Sequence, residues 1–358
     1  MRNIIRYILV LMLLASNVHY AFARLKVGLV LGGGGARGAA QVGVLKSIQQ
    51  SGVPIDYVVG TSIGGIVGGL YCQGMTPEQM ETLFTSQNWI GLFAGLEQYN
   101  VNDLYRGDGE VDFLRGQSLL GKISKDGMLI GILDGGSIIN LLDRVTGTRG
   151  VMDFDSLQIP FRCVAADINT LESVPLRRGN LAVCMRASMA IPIVFTPVNL
   201  DGRVLVDGGL INNLPCDVAR AMGADVIIAI DLSQEHYIMK REKSFLQRMF
   251  ENVDLGVGLL NWLAHRPDKE IYLNNIDMAD VYINPDLHDF GITAFSLSSV
   301  QKMIAIGEQN GQKSLPLLNM LNQYVQRYEA DNRPSFKEFI QQQRRATSTP
   351  YHFTLPSK

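Results

Sequence analysis

Cysteine is scarce in this sequence, and its spacing excludes several kinds of site. Among 358 residues there are four cysteines, and no two of them form a C-x-x-C pair. Zinc ribbons and thioredoxin-like redox centres depend on such pairs, so neither is supported. Each cysteine stands among apolar neighbours, at Cys72, Cys163, Cys184 and Cys216. We expect buried free thiols, with one or two disulfide bonds as the alternative.

Clustered positive charge is also lacking. The chain carries 32 Lys and Arg against 34 Asp and Glu, a formal net charge of −2 at pH 7, and no basic block precedes the C-terminal tail. Nucleic-acid phosphates attract clustered Lys and Arg, so we expect no nucleic-acid partner. Hydrophobic residues make up 47% of the chain and charged residues 18%, which is typical of a globular protein with a sizeable core.

The apolar run near the N-terminus is short. The stretch "ILVLMLLA" at 8–15 falls well below the roughly 20 apolar residues that a transmembrane helix needs. Arg2 and Arg6 precede it, and "AFA" at 21–23 has the A-x-A pattern of a cleavage site. We expect residues 1–23 to be a secretory signal peptide, with an uncleaved membrane anchor as the alternative. The absence of a following cysteine argues against a lipoprotein, and the expected location is periplasmic, outer-membrane-associated or secreted.

Glycine, in contrast, is abundant, and it clusters in turns between apolar segments. The sequence has 36 glycines, and glycines follow "LKVGLVL" (25–31) and end "YVVG" (57–60). Both apolar runs, like "ADVIIAIDL" (224–232), predict buried strands. Helical patterns alternate with these strands. This alternation predicts an α/β protein with a mostly parallel central sheet.

Two other regions carry weaker signals. Residues 86–135 mix aromatic residues with glycines, and they are compatible with a substrate-facing insertion or with ordinary surface loops. Residues 298–325 predict a helix with a break between Gly311 and Pro316. The polar stretch 326–358 predicts a flexible or helical C-terminal tail.

The first chemical motif is "GGGGARG" at 32–38, between a strand and a helix. Gly33, Gly35 and Gly38 satisfy the G-x-G-x-x-G pattern of dinucleotide sites, which also need an acidic residue at the end of the second strand. Asp56 precedes that strand instead, and a serine follows it, so the dinucleotide reading is weak. Backbone N–H groups in such a loop can equally stabilise the oxyanion of acyl transfer.

The second motif is "GTSIG" at 60–64, directly after one apolar strand and before a helix. It has the pattern of a nucleophile elbow, in which glycines flank a serine on a strained turn. Because both glycine turns follow parallel strands, they emerge at the same edge of the sheet. We therefore predict that Ser62 is a nucleophile beside the glycine loop, with a simple helix cap as the alternative.

The third motif supplies a base. "DGG" occurs at Asp134 and at Asp207, and only Asp207 ends an alternating strand, "RVLVD". Asp134 is explained by a turn before a helix, so Asp207 is the favoured base. A Ser-Asp-His triad is the alternative, although no histidine follows a buried strand in a glycine turn. The histidines available to it are His236, His265, His288 and His352.

At these residues the chain resembles bacterial members of the patatin-like phospholipase family. "GGGARG" is similar to the family's oxyanion loop, "GTSIG" to its nucleophile elbow and "DGG" to its aspartate motif. The stretches "RASMAIPIVFTPV" and "DGGLINNLPCDVARAMGADVIIAIDLS" resemble the segments before and after the last motif. The resemblance covers residues 26–232 and predicts a patatin-like domain at 24–325.

The resemblance implies a three-layer α/β/α sandwich and a Ser-Asp dyad that hydrolyses acyl esters of lipids. Ser62 would attack the carbonyl, Asp207 would take and return its proton, and the backbone N–H groups of Gly33, Gly34 and Gly35 would hold the oxyanion. It implies neither a metal nor another cofactor. Arg37 would hold the loop, face a lipid phosphate or form an ion pair. The remaining motif residues are Gly38, Gly60, Gly64, Gly208 and Gly209.

A lipid or membrane-surface substrate agrees with two apolar stretches. Residues 245–266 and "NWIGLF" at 88–93 are candidates for interfacial segments, with core packing as the alternative. The leading hypothesis is a phospholipid, lysophospholipid or related lipid hydrolase. Its alternatives are an esterase for small soluble esters and a membrane-associated scaffold without catalysis.

Overall fold

The computed structural model describes residues 24–94, 133–192, 194–234, 268–329 and 333–347. The expected signal peptide, the stretch 245–266 and most of the insertion predicted at 86–135 lie outside these ranges, as do His236, His265 and His352. Of the helices within the described ranges, none combines the length and the apolar character that crossing a membrane requires.

Ten strands are found in the described ranges. They are β1 (Val27–Leu31), β2 (Tyr57–Thr61), β3 (Met152–Asp153), β4 (Phe161–Asp167), β5 (Glu172–Leu176), β6 (Arg178–Gly179), β7 (Val198–Leu200), β8 (Arg203–Asp207), β9 (Val226–Ile230) and β10 (Val281–Ile283).

The main sheet has a parallel part and an antiparallel part. Strands β10, β9, β1, β2 and β4 are parallel neighbours in that order. Strands β5 and β8 then pair with β4 in the antiparallel sense, and β7 pairs likewise with β8. The short strands β3 and β6 form a separate antiparallel pair. The expectation of an α/β fold with a mostly parallel central sheet is confirmed.

The helices of the described ranges cover both faces of the sheet. They are α1 (Ala39–Ser51), α2 (Ile63–Cys72), α3 (Pro77–Ser86), α4 (Trp89–Ala94), α5 (Gly136–Thr146), α6 (Leu181–Ser188), α7 (Cys216–Ala221), α8 (Asp268–Met278), α9 (Leu297–Arg327) and α10 (Phe336–Thr347).

Side chains of β1 point alternately to the two faces of the sheet, and each face is covered by helices. Leu29 and Leu31 join a large apolar cluster with residues of α1, α2, α6 and α9. Val30 points to the other face and joins a second cluster with residues of α7 and α8. Successive side chains of a strand point to opposite faces, so a strand buried on both sides is apolar throughout. The result is the three-layer α/β/α sandwich.

The break predicted between Gly311 and Pro316 is wrong, because α9 continues through both residues. The glycines of α9 serve close approach to α1. A Cβ atom at Gly307 would lie 1.9 Å from the carbonyl oxygen of Ala40, and one at Gly311 would lie 2.6 Å from Ser47 Oγ. Tertiary packing therefore overrides the helix-breaking tendency of glycine and proline.

Other predictions about burial can be compared directly with the structure. All four cysteines are buried free thiols, as the leading expectation had it. In α4, Trp89, Leu92 and Phe93 are buried and contact the apolar core, so the core reading of "NWIGLF" holds for these side chains. Part of the polar C-terminal stretch forms α10, whose apolar face is buried.

Candidate active site

The turn after β2 places Ser62 in a strained backbone conformation. Ser62 has φ 55° and ψ −126°, a combination that non-glycine residues rarely adopt. Helix α2 starts at the next residue, and the backbone N–H of Ser62 donates to Ser188 Oγ at 2.8 Å. A nucleophile elbow needs this sharp turn between strand and helix, because it exposes the serine oxygen above the strand end.

Asp207 lies in hydrogen-bond contact with Ser62. Ser62 Oγ donates to Asp207 Oδ2 at 2.7 Å, and the backbone N–H of Gly209 donates to Asp207 Oδ1 at 2.7 Å. Both Ser62 and Asp207 are 7% exposed. Burial raises the pKa of the Asp207 carboxyl to about 6, although the two hydrogen bonds act in the opposite direction.

The pairing of β4 explains how two residues so distant in sequence meet. Strand β5 pairs with residues 163–167 of β4, so it occupies one edge of β4 along that length. Strand β2 pairs with residues 161–164 and β8 with residues 165–167, and both overlap β5. A strand has two edges, so β2 and β8 share the edge opposite β5. They run in opposite directions and end against each other, which brings Ser62 to Asp207.

The glycine loop is fixed by hydrogen bonds at its first peptide group. Gln41 Nε2 donates to the carbonyl oxygen of Gly32 at 2.8 Å, and the N–H of Gly33 donates to the carbonyl oxygen of Asn213 at 3.1 Å. The predicted oxyanion donor Gly33 is therefore already engaged in this structure. Among the described residues, the N–H groups of Gly34 and Gly35 have no backbone acceptor. The loop offers these two donors to an oxyanion.

The loop also lies directly against the elbow. A Cβ atom at Gly33 would be 3.1 Å from Ser62 Cβ, and one at Gly35 would be 2.3 Å from the carbonyl oxygen of Ile292. The other motif glycines are equally crowded, which explains why no side chain fits there. An added Cβ would meet its nearest atom at 2.2 Å for Gly38, 2.1 Å for Gly60, 2.2 Å for Gly64, 2.2 Å for Gly208 and 2.7 Å for Gly209.

Arg37 has a structural role in this loop. Its Nε donates to the carbonyl oxygen of Phe290 at 2.8 Å, and the neighbouring Ala36 N–H donates to that of Ile292 at 2.8 Å. Of the roles expected for Arg37, the contact with Phe290 corresponds to holding the loop.

The residues considered as an alternative base or as a dinucleotide ligand lie away from Ser62. Asp134 is exposed, and its carboxylate accepts from the N–H of Gly136 in a turn. Asp56 forms ion pairs with Arg24 and Lys26 at the opposite end of the strands. His288 pairs with Asp286 near the surface. In the described ranges, no group of three or more His, Cys, Asp or Glu side chains has the arrangement of a metal site.

Three residues that hold the glycine loop or the elbow in place do not belong to the three sequence motifs. Gln41 and Asn213 hold the glycine loop, and Ser188 holds the backbone of Ser62. Ser188 and Asn213 stand inside the quoted stretches "RASMA" and "GGLINNLP", but only the fold reveals what they contact. Gln41 is a polar residue in an otherwise apolar helix segment, and that anomaly was the available signal.

The arrangement combines a hydroxyl, a buried carboxylate and backbone N–H groups that have no backbone acceptor among the described residues. Such a set can transfer a proton from the alcohol and stabilise the negative charge that develops on an attacked carbonyl. Asp207 forms no ion pair in the described part of the chain. Its carboxylate is stabilised by the hydrogen bonds from Ser62 and Gly209.

Comparison with known proteins identifies the family of this chain. The family model for patatin-like phospholipase matches residues 29–220. A patatin-like phospholipase domain-containing protein of Caenorhabditis elegans is 36% identical over 208 residues, covering 58% of this chain and 13% of that protein. An uncharacterised NTE-family protein of Mycobacterium bovis is 33% identical over 208 residues, covering 58% of this chain and 49% of that protein.

The structure of VipD from Legionella pneumophila matches with a TM-score of 0.45 and 17% identity, over 84% of this chain and 67% of that one. The chain spans only 13% of the length of relatives such as the mouse patatin-like phospholipase domain-containing protein 7, which is 33% identical over 214 residues and covers 58% of this chain. Animal and bacterial relatives both match this chain, so the comparisons do not single out the bacterial members. The family model spans more than half of the chain, and the chain belongs to the patatin-like phospholipase family.

Proposed function

We propose that this protein is a serine acyl hydrolase that cleaves ester bonds of phospholipids, lysophospholipids or related lipids. The single observation that carries this proposal is the 2.7 Å hydrogen bond from Ser62 Oγ to the buried carboxylate of Asp207. Family membership supports the lipid class of substrate.

In the first half-reaction, Ser62 Oγ bonds to the ester carbonyl carbon while its proton passes to Asp207 Oδ2. The carbonyl oxygen becomes an oxyanion, which the N–H groups of Gly34 and Gly35 stabilise. One well-placed donor of this kind lowers the barrier by about 3 kcal/mol. The intermediate then expels the alcohol, which takes the proton from Asp207, and an acyl-serine remains.

In the second half-reaction, Asp207 accepts a proton from water as the water oxygen attacks the acyl-serine. Collapse of the second tetrahedral intermediate returns that proton to Ser62 Oγ and releases the carboxylic acid. One ester and one water thus give one acid and one alcohol, and the enzyme returns to its starting state. A base of pKa near 6 is ionised at neutral pH and is still a better proton acceptor than a solvated aspartate.

The proposal predicts that Ser62→Ala and Asp207→Asn each lower kcat/KM by about 10³-fold or more, because each removes a group required for proton transfer. Fatty-acid release from phospholipid and lysophospholipid panels measures this loss, and a fluorophosphonate probe measures labelling of Ser62. Asp134→Asn is the matched control, since it alters the other "DGG" aspartate, which is exposed. It should retain wild-type activity.

The outcomes separate the competing functions. Lipid hydrolysis that depends on Ser62 supports the proposal. Activity confined to short soluble esters would favour the small-ester alternative, and a folded protein with neither activity nor labelling would favour the scaffold.

The export predicted from residues 1–23 is part of the proposal and is tested by N-terminal sequencing of the protein recovered from a bacterial periplasm.

A further inference from the structure

The last residue of α6 and the two residues after it contact the backbones of Ser62 and Asp207. Ser188, the last residue of α6, is fully buried, and its Oγ accepts from the N–H of Ser62 at 2.8 Å. The same Oγ donates to the carbonyl oxygen of Val164 at 2.5 Å. One hydroxyl therefore links the nucleophile elbow to strand β4.

The base is held by the same segment two residues later. The carbonyl oxygen of Ala190 accepts from the N–H of Asp207 at 2.9 Å. Val164 is opposite Thr61 in the β2–β4 pairing, and the next residue, Ala165, is opposite Asp207 in the β4–β8 pairing. Residues 188–190 thus bridge the ends of β2 and β8 on the edge that these strands share.

Residues 188–190 connect two strand ends that are not joined to each other by backbone hydrogen bonds. No ladder hydrogen bond joins β2 to β8, because the two strands meet end to end. Ser62 is also held at positive φ, a conformation that persists only where surrounding contacts enforce it. A buried N–H without an acceptor would favour relaxation of the turn.

We propose that Ser188 is a positioning residue for the nucleophile: it fixes the elbow through the Ser62 N–H and thereby holds Ser62 Oγ at the Asp207 carboxylate. This role rests on the proposed function. Ser188 does not touch the reacting atoms, and its effect passes through the backbone of Ser62 and through Val164.

The test compares Ser188→Ala with Ser47→Ala. Ser47 is also a fully buried serine, and its Oγ accepts from Gln312 Nε2 at 3.1 Å in the α1–α9 contact, remote in the fold from the elbow. We expect Ser188→Ala to lower kcat by about 10- to 100-fold with KM changed less than about threefold, since small displacements of reacting atoms have effects of this size. Ser47→Ala should keep kcat within about threefold of wild type.

The pH profile is a second readout that a loss of stability would not move. The hydrogen bond from Ser62 lowers the pKa of Asp207, so displacement of Ser62 Oγ should shift the acid limb of the kcat/KM profile to higher pH in Ser188→Ala only. Fluorophosphonate labelling should slow by the same factor as kcat. Equal kcat for Ser188→Ala and Ser47→Ala, or a loss that resides in KM alone, would overturn the positioning role.

A conservative pair keeps the test decisive if the alanine variant fails to fold. Ser188→Cys retains a weak donor and acceptor, so its kcat should lie below those of wild type and of Ser47→Cys. Wild-type kcat in Ser188→Cys would contradict the role. Ser62→Ala is run in parallel: if it stays active the proposed function fails, whereas an inactive Ser62→Ala beside a fully active Ser188→Ala removes only the positioning role.

Discussion

At the scale of single residues, the environment of Asp207 decides what the site can do. The carboxyl is buried, receives hydrogen bonds from Ser62 and Gly209, and forms no ion pair within the described residues. Desolvation disfavours the charged form and raises its pKa to about 6. The burial that suits Asp207 to its proposed role as a base therefore also opposes folding at neutral pH.

This predicts a stability difference for Asp207→Asn that depends on pH. A carboxyl whose pKa is higher in the folded state contributes its full stabilisation below about pH 4 and loses it as the pH rises through about 6. The asparagine variant has no such dependence. Relative to wild type it should gain about 2.5 kcal/mol in unfolding free energy between pH 4 and pH 8.

Urea unfolding at a series of pH values measures that difference, with Asp134→Asn as a control that should follow wild type. A relative stability of Asp207→Asn that stays constant with pH would contradict the raised pKa.

Wild-type kcat/KM should also fall about tenfold per pH unit below about 6, because the base becomes protonated.

Sequence patterns predicted Ser62 and Asp207 as site residues, but they did not predict the residues that hold the elbow and the glycine loop in place. Ser62 and Asp207 stand in short local patterns, because an elbow and an uncrowded aspartate impose local requirements. The engagement of the Gly33 N–H by Asn213 and the contact between Ser188 and Ser62 join segments far apart in the chain. No local pattern specifies such contacts.

At the scale of elements, the packing of α1 on α9 is the clearest case of glycine used for contact. A Cβ atom at Gly43 would lie 2.1 Å from the carbonyl oxygen of Ile304, and one at Gly307 would lie 1.9 Å from that of Ala40. The two helices therefore approach backbone to backbone. This also explains why a helix containing Gly307, Gly311 and Pro316 continues, although its sequence predicts a break.

The contact predicts that Gly43→Ala and Gly307→Ala each destabilise the protein by about 3 kcal/mol, because one methyl group forces the helices apart. Thermal and urea unfolding measure the loss. Gly136→Ala is the control, since its nearest atom to an added Cβ lies at 3.5 Å and the residue is helical. A loss no greater than that of the control would show that the helices can separate freely.

At the scale of the whole molecule, the C-terminal stretch is joined to the main core. Phe336, Phe339 and Ile340 of α10 are buried, and the ring of Phe339 packs against those of Tyr324 and Tyr328. The polar composition of 326–358 predicted a tail, because the few apolar residues of α10 are outnumbered by charged and amide side chains. The helical form was one of the two alternatives predicted for this stretch, and the apolar face of the helix is the signal for its burial against the core.

We expect Phe339→Ala to lower the unfolding free energy by about 3 kcal/mol or more within a single transition, as large-to-small changes at buried aromatic residues do. Lys337→Ala, at an exposed neighbouring position, is the control and should have little effect. Unfolding followed by circular dichroism and by tyrosine and tryptophan fluorescence provides the measurement. A separate early transition, with the main one unchanged, would mean that α10 folds independently of the core.

The meeting of β2 and β8 along one edge of β4 has a consequence for biosynthesis. The alcohol and the glycine loop leave the ribosome early, whereas their carboxylate partner follows 145 residues after the alcohol. Until β8 has been translated and has docked antiparallel to β4, Ser62 lacks the carboxylate to which its Oγ donates. A polypeptide that ends before residue 207 therefore lacks the carboxylate that the proposed ester cleavage requires.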